Sequence, residues 1–212
     1  MSSGGGPRQA AELRVDARRN QQRILLAAAR LLADDPGVSL QRIAEEAQVA
    51  RLTVHRRYPS RDALVEAILG AAVAEFGEAM QEAESSPADA GDAIGHLIRS
   101  LARIGAKYPI LLQVGGAPSH QPPEQDIGQN EHDTTAIVER FDAVLARGQA
   151  DGTLRSDLAP EILRFSLFGA LAMSLRLVRA RADDSPLTAQ EIGTQVAAII
   201  VDGLRPRTPG AG

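Results

Sequence analysis

The chain has 212 residues, 44% of them hydrophobic, and no cysteine. It can therefore bury one large core or two modest ones, while disulfides and thiolate metal sites are excluded. Its net charge of −4 conceals an uneven distribution: residues 1–62 carry eleven arginines against seven carboxylates, and the remainder is strongly acidic. A basic end on an acidic body fits contact between that end and phosphates. The opening MSSGGGPRQAAELR lacks the apolar segment of a signal peptide, and the longest near-apolar run, Phe165 to Leu175, is too short to span a bilayer. A cytoplasmic protein with no membrane partner is expected.

Residues 1–14 are rich in Gly, Ser and Gln and predict a disordered arm. Asp16 can cap a helix running to about Ala33, with Ile24, Leu25, Ala28, Leu31 and Leu32 at helical spacing. Asp34-Asp35-Pro36-Gly37 ends it. Ser39 caps a second helix whose inner face holds Ile43 and Ala47. Gln48-Val49 forms a turn, Ala50 to Arg57 a short basic helix, and Tyr58-Pro59-Ser60 a stop, because Pro59 disfavours helix at Tyr58. Two short helices about a tight turn, the second basic, are the build of a helix-turn-helix, in which the second helix enters a DNA major groove. The motif spans about residues 39–58.

Ser60 caps a fourth helix reaching about Glu84, with Leu64, Ala67, Ile68 and Ala71 on its apolar stripe. A helix from about Asp89 to Ala106 buries Ile94, Leu97, Ile98, Leu101 and Ile104. A short apolar piece follows near Pro109 to Val114, and then a long loop, 115–129, of the kind that is often functional. A helix over about 131–150 turns Ile137, Phe141, Val144 and Leu145 inward. Two C-terminal helices, about 160–182 and 188–204, remain. The first is apolar around much of its circumference, as befits a helix covered on two sides. A dimer bundle is read from these two helices, with Leu163, Leu167, Ala170, Leu171, Ser174, Leu175, Val178, Ile192, Val196, Ile199 and Ile200 as candidate interface. No strand alternation is evident, so the fold class is all-α, with about nine helices.

RRNQQRILLAAARLLADDPG followed by VSLQRIAEEAQVARLTVHRRYPSRDALVEAIL resembles the N-terminal domain of the TetR family of transcriptional regulators. The close match covers about Arg18 to Leu69; beyond it the likeness is architectural and includes the turn at residues 150–158. Three positions depart from the family pattern: Gln48 stands where glycine is usual, His55 where tyrosine is, and Arg61 where lysine is. The resemblance implies a helix-turn-helix DNA-binding domain over 15–61, a helical effector-binding and dimerisation domain over 62–205, and a disordered tail over 206–212.

By that resemblance Arg51 and Leu52 sit near base edges, Thr53 and Arg56 reach bases or backbone, and His55, Arg57, Arg61 and the Ser39 hydroxyl clamp phosphates. Arginine is the usual bidentate partner of guanine, and phosphate contacts set register and salt dependence. Arg8, Arg14, Arg18 and Arg19 form a candidate minor-groove arm. The central helices are expected to enclose a pocket, as the family's do, lined by Leu101, Ile104, Leu112, Phe141, Leu145, Phe165, Phe168 and Met173. The histidines at 55, 96, 120 and 132 match no usual ligand spacing, and no catalytic constellation is visible; no metal, no cofactor and no enzymatic activity are expected. The partners expected are near-palindromic operator DNA, a second copy of the chain and an unknown small-molecule effector that releases a repressor. Two other readings stay open: control by a protein partner without a ligand, and a structural DNA-binding protein with little sequence preference.

Overall fold

The computed structural model describes residues 7–86, 88–114, 130–180 and 187–206, with side chains left out of account for 7–13, 113–114 and 130–134. The loop at 115–129, with His120, and the side chain of His132 lie outside this description. All regular structure among the described residues is helical: α1 Pro7–Asp34, α2 Leu40–Glu46, α3 Arg51–Arg57, α4 Arg61–Ser85, α5 Ala90–Lys107, α6 Leu111–Val114, α7 Asn130–Ala150, α8 Pro160–Ala180 and α9 Ala189–Leu204. The chain divides into two compact units, 1–68 and 69–212. The boundary thus falls inside α4, later than the division at 61/62 that the sequence suggests. Leu64 and Ile68, at the start of α4, are fully buried.

In the first unit, here the head, α1 buries Ile24, Leu25, Ala28 and Leu32, while α2 adds Ile43, Ala44 and Ala47. Each fully buried aliphatic side chain contributes roughly 1.5–3 kcal/mol of apolar burial. Arg30 on α1 pairs with Glu46 on α2. The Ser39 Oγ accepts from the Arg42 amide at 3.2 Å and so starts α2. The Ser60 Oγ accepts from the Ala63 amide at 3.0 Å and starts α4. Helix α1 corrects the sequence expectation. It opens at Pro7, not Asp16, because proline suits the first helical position and Gln9 to Leu13 are mostly good helix formers. Arg8, Arg14, Arg18 and Arg19, the candidate minor-groove arm, all stand within this helix.

In the second unit, the body, α5 is the central helix and packs closely along α9. A Cβ at Gly193 would lie 2.6 Å from the Ala102 Cβ, so glycine is what allows the two helices to approach. Helix α9 begins with a full capping box: Thr188 accepts from the Glu191 amide, and the Glu191 carboxylate accepts from the Thr188 amide. The turn after α7 follows Asp151-Gly152-Thr153, with Gly152 at φ 76°. Beyond it the Arg155 amide donates to the Leu204 carbonyl at 2.8 Å, fastening this turn to the end of α9. Glu75 on α4 accepts from Lys107 Nζ at 2.5 Å and from the Tyr108 hydroxyl at 2.7 Å, and so ties α4 to the end of α5.

Candidate nucleic-acid interface and body cavity

The turn between α2 and α3 is built on a left-handed residue: Gln48 has φ 54°. A non-glycine residue there costs roughly 1–2 kcal/mol. Arg23 on α1 supports the turn, donating to the Gln48 carbonyl at 2.9 Å and to its side-chain oxygen at 3.1 Å. Helix α3 then starts without a side-chain cap at Ala50 and ends at Tyr58, which is buried. Val54 is the only one of its seven residues that is buried. The other six face solvent.

All eight sequence-predicted DNA contacts lie at exposed positions. Leu52 is 69% exposed, so its side chain does nothing for the core and is free for apolar contact. Arg51, Thr53, His55 and Arg56 surround the Val54 anchor, and Arg61 begins α4. The Ser39 oxygen is already an acceptor in the α2 cap, which leaves its proton to donate. Arg57 differs from the expectation: its Nη2 donates to the Gln21 Oε1 on α1 at 2.5 Å, so part of its guanidinium braces the head. Gln21 and Arg23, which hold α3 and its turn against α1, escape a sequence reading because polar residues on an exposed helix carry no periodic signal. Burial pushes the Tyr58 phenol above its ordinary value, and the neighbouring Arg57 guanidinium partly offsets this.

The body holds a cavity of about 400 Å³ between α5, α6 and α8. Leu101, Ile104, Leu112, Phe165, Phe168 and Met173 line it, as expected from the sequence, together with Gly105, Leu111, Leu171 and Leu175. Phe141 and Leu145 do not: both are fully buried, and Phe141 packs its ring 5.5 Å from Phe168 as part of the wall behind. Arg176 is the one charged residue in the lining. The Tyr108 phenol, at the start of the α5–α6 corner, is pushed far above its ordinary value by burial and then by the Glu75 carboxylate it bonds.

The candidate interface on α8 and α9 needs correction. Leu163, Leu167, Leu171, Leu175, Ile192 and Val196 are buried inside the chain and form its core. Ser174, Val178 and Ile200 are half-buried, and Ser174 donates to the Ala170 carbonyl at 2.8 Å. Two of the expected residues, Ala170 on α8 and Ile199 on α9, the latter 73% exposed, do lie on an exposed apolar face, with Ile162, Phe165, Met173 and Leu177 of α8. Helix α8 has two apolar stripes, and periodicity alone does not say which faces the core. A Cβ at Gly169 or Gly203 would meet nothing within 4 Å, so this surface is open in the single chain.

A helix-turn-helix with an exposed basic second helix is the build of a DNA-binding regulator. The family "Bacterial regulatory proteins, tetR family" matches residues 24–68, the core of the head. Solved structures match over both units. The TetR family transcriptional regulator PfmR from Thermus thermophilus is 21% identical over 86% of this chain and 99% of that one, with TM-score 0.67. The ketosteroid transcriptional regulator KstR2 of Mycobacterium tuberculosis is 19% identical over 90% and 96%, with TM-score 0.71. The TetR transcriptional regulator SCO0520 from Streptomyces coelicolor is 25% identical over 89% and 99%, with TM-score 0.56. No curated protein matches the chain. The head thus matches the family's model over residues 24–68, and the fold of the chain is similar to that of solved TetR-family transcriptional regulators. Among the described residues no helix is long and apolar enough to cross a membrane.

Proposed function

We propose that the chain is a homodimeric repressor that reads a near-palindromic operator with α3 and releases it when a small molecule fills the α5–α6–α8 cavity. The observation that carries this reading is the exposure pattern of α3, where one valine anchors the helix and the other six side chains are exposed. In this reading Arg51, Leu52, Thr53 and Arg56 face base edges. Ser39, His55, Arg61 and the free part of Arg57 hold phosphates. The apolar face of α8 and α9 joins two copies, so that two heads match two half-sites.

The cavity suits a small, mostly apolar molecule, with Arg176 near a polar or anionic end. Phe165, Gly169 and Met173 belong both to the cavity wall and to the exposed α8 face, so a second copy seated there would also narrow the cavity's open side. The ligand acts only by its preference for the released conformation. Moving the balance from 1:99 to 99:1 needs roughly 5.5 kcal/mol of differential affinity. The regulator works in the cytoplasm and carries out no chemical step of its own.

The test is an operator library bound by Arg51→Ala and Arg61→Ala. Arg51→Ala relaxes base preference by about 1–3 kcal/mol at one position per half-site. Arg61→Ala weakens binding to all sequences alike and makes the salt dependence shallower by about one unit of slope. Equal effects of both variants across the library contradict the assignment.

A further inference from the structure

In the head, four arginines are held by other side chains or backbone. Arg23 bonds Gln48, Arg30 pairs with Glu46, Arg42 lies near Glu45 and Glu46, and Arg57 bonds Gln21. Among the described residues, those with no protein partner are Arg51, Arg56 and Arg61, which belong to the reading surface, and Arg14, Arg18 and Arg19 on α1. Residues 14–19 are all exposed, and Ile24 is the first buried residue among the described side chains of α1. This stretch of helix therefore contributes nothing to the core.

Its register relates it to α3. The Gln21 side chain meets Arg57 at the C-terminal end of α3 at 2.5 Å, so the face of α1 that carries Gln21 adjoins the reading helix. Arg18 and Arg14 lie three and seven residues earlier, on the same face. At 1.5 Å per residue, Arg14 stands about 10 Å beyond Gln21 along the axis. Asp16 falls on the opposite side of the helix, so no carboxylate of residues 14–21 neutralises this face. A basic line thus runs from the end of α3 outward along α1.

We propose that the α1 face carrying Arg14 and Arg18 is a second DNA-contacting surface, gripping backbone phosphates beside the sequence that α3 reads. The inference rests on the DNA-reading role of α3. Two arginines within two helical turns of Gln21 and Arg57 match a phosphate backbone, which offers a charge on each strand at every nucleotide and asks for no sequence. The surface adds affinity and salt dependence, and leaves base preference to α3.

The experiment compares the full chain with Arg14→Ala/Arg18→Ala and Arg14→Lys/Arg18→Lys, on a duplex carrying the operator recovered by selection and on a duplex of unrelated sequence. Affinity is followed against salt, and a thermal melt confirms that the fold is kept. The alanine pair is expected to make the slope of log affinity against log salt shallower by about two units per protomer on both duplexes. The lysine pair restores the slope, and base preference stays that of the parent. An unchanged slope overturns the proposal, and so does a changed base preference, since the pair would then act through Gln21 and Arg57 on α3. A parent chain that cannot tell the two duplexes apart refutes reading by α3 instead, and the slope comparison still decides the role of α1.

Discussion

Helix α3 of the head buries one of its seven residues, whereas α5 of the body buries eleven of its eighteen. The reading helix is held at its ends, by the Gln48 turn, by Tyr58 and by the Arg57–Gln21 bond, and at one point along its length, by Val54. Nearly all its surface can vary without loss of fold. Helix α5 is held along its whole length, so the body gains its form from packing and keeps only the cavity wall and one outer face free. Substitution on α3 therefore costs little stability, while a change inside the body must pass through its core.

The largest effect is expected where the body packs most tightly. Gly193→Val would drive side-chain atoms into Ala102 and toward the Arg99 backbone, and should destabilise the chain by about 3 kcal/mol in urea titration. A loss below about 1 kcal/mol would mean that α5 and α9 are not locked together as described.

Next comes the outer face of α8 and α9. Ile199→Glu places a charge on the proposed dimer surface and should weaken the dimer by about 3 kcal/mol, on the order of a hundredfold, with unchanged helical content. Sedimentation shows the result, and Gly169→Leu, which meets nothing in the single chain, should act in the same way. Persistence of the dimer in both variants would remove α8 and α9 from the interface.

In the head, Gln48→Gly should stabilise by up to about 1 kcal/mol, because relief of the left-handed strain exceeds the extra freedom of glycine in the unfolded chain. The Arg23 bond to the backbone carbonyl survives the substitution. Destabilisation instead would assign the side-chain bond from Arg23 the larger share.

The smallest effect separates the two units by their tyrosines, Tyr58 in the head and Tyr108 in the body, the only two in the chain. Both phenols have raised pKa values, with burial the leading cause in each, and Tyr108 is raised further by Glu75. Each neutral phenol therefore adds stability that is fully present below the unfolded value near 10 and is lost as pH rises through the folded value. Ultraviolet titration should show two steps above the ordinary tyrosine range, the earlier one abolished by Tyr58→Phe. A step near the ordinary value would contradict the burial of that residue.

The head is largely legible in the sequence because its signals agree locally. Ser39 and Ser60 cap, Pro59 stops, and the single inward Val54 fixes which way α3 faces. The left-handed turn shows at Gln48 by comparison with the usual glycine. The longer α1 does not show, because the Gly-rich start masks the helix-opening Pro7. In the body, six of eight expected cavity residues line the cavity, and the other two, Phe141 and Leu145 on α7, are buried outside its lining. Six of the eleven expected interface residues prove to be core, because Leu163, Leu167, Leu171 and Leu175 form one apolar stripe of α8 and Ile162, Ala170, Met173 and Leu177 another. Sequence spacing gives the stripes of a helix, and only packing against α5 and α9 tells them apart.

The central claim is that α3 reads a specific sequence and that two copies do so together. The most direct measurement is selection of bound duplexes from a random pool by the full chain, followed by sequencing. The expected result is enrichment of a near-palindrome whose half-sites lie about one helical turn, roughly 10 base pairs, or a multiple of it apart. A pool that stays random after selection, or one enriched in a single unrepeated half-site, would contradict it.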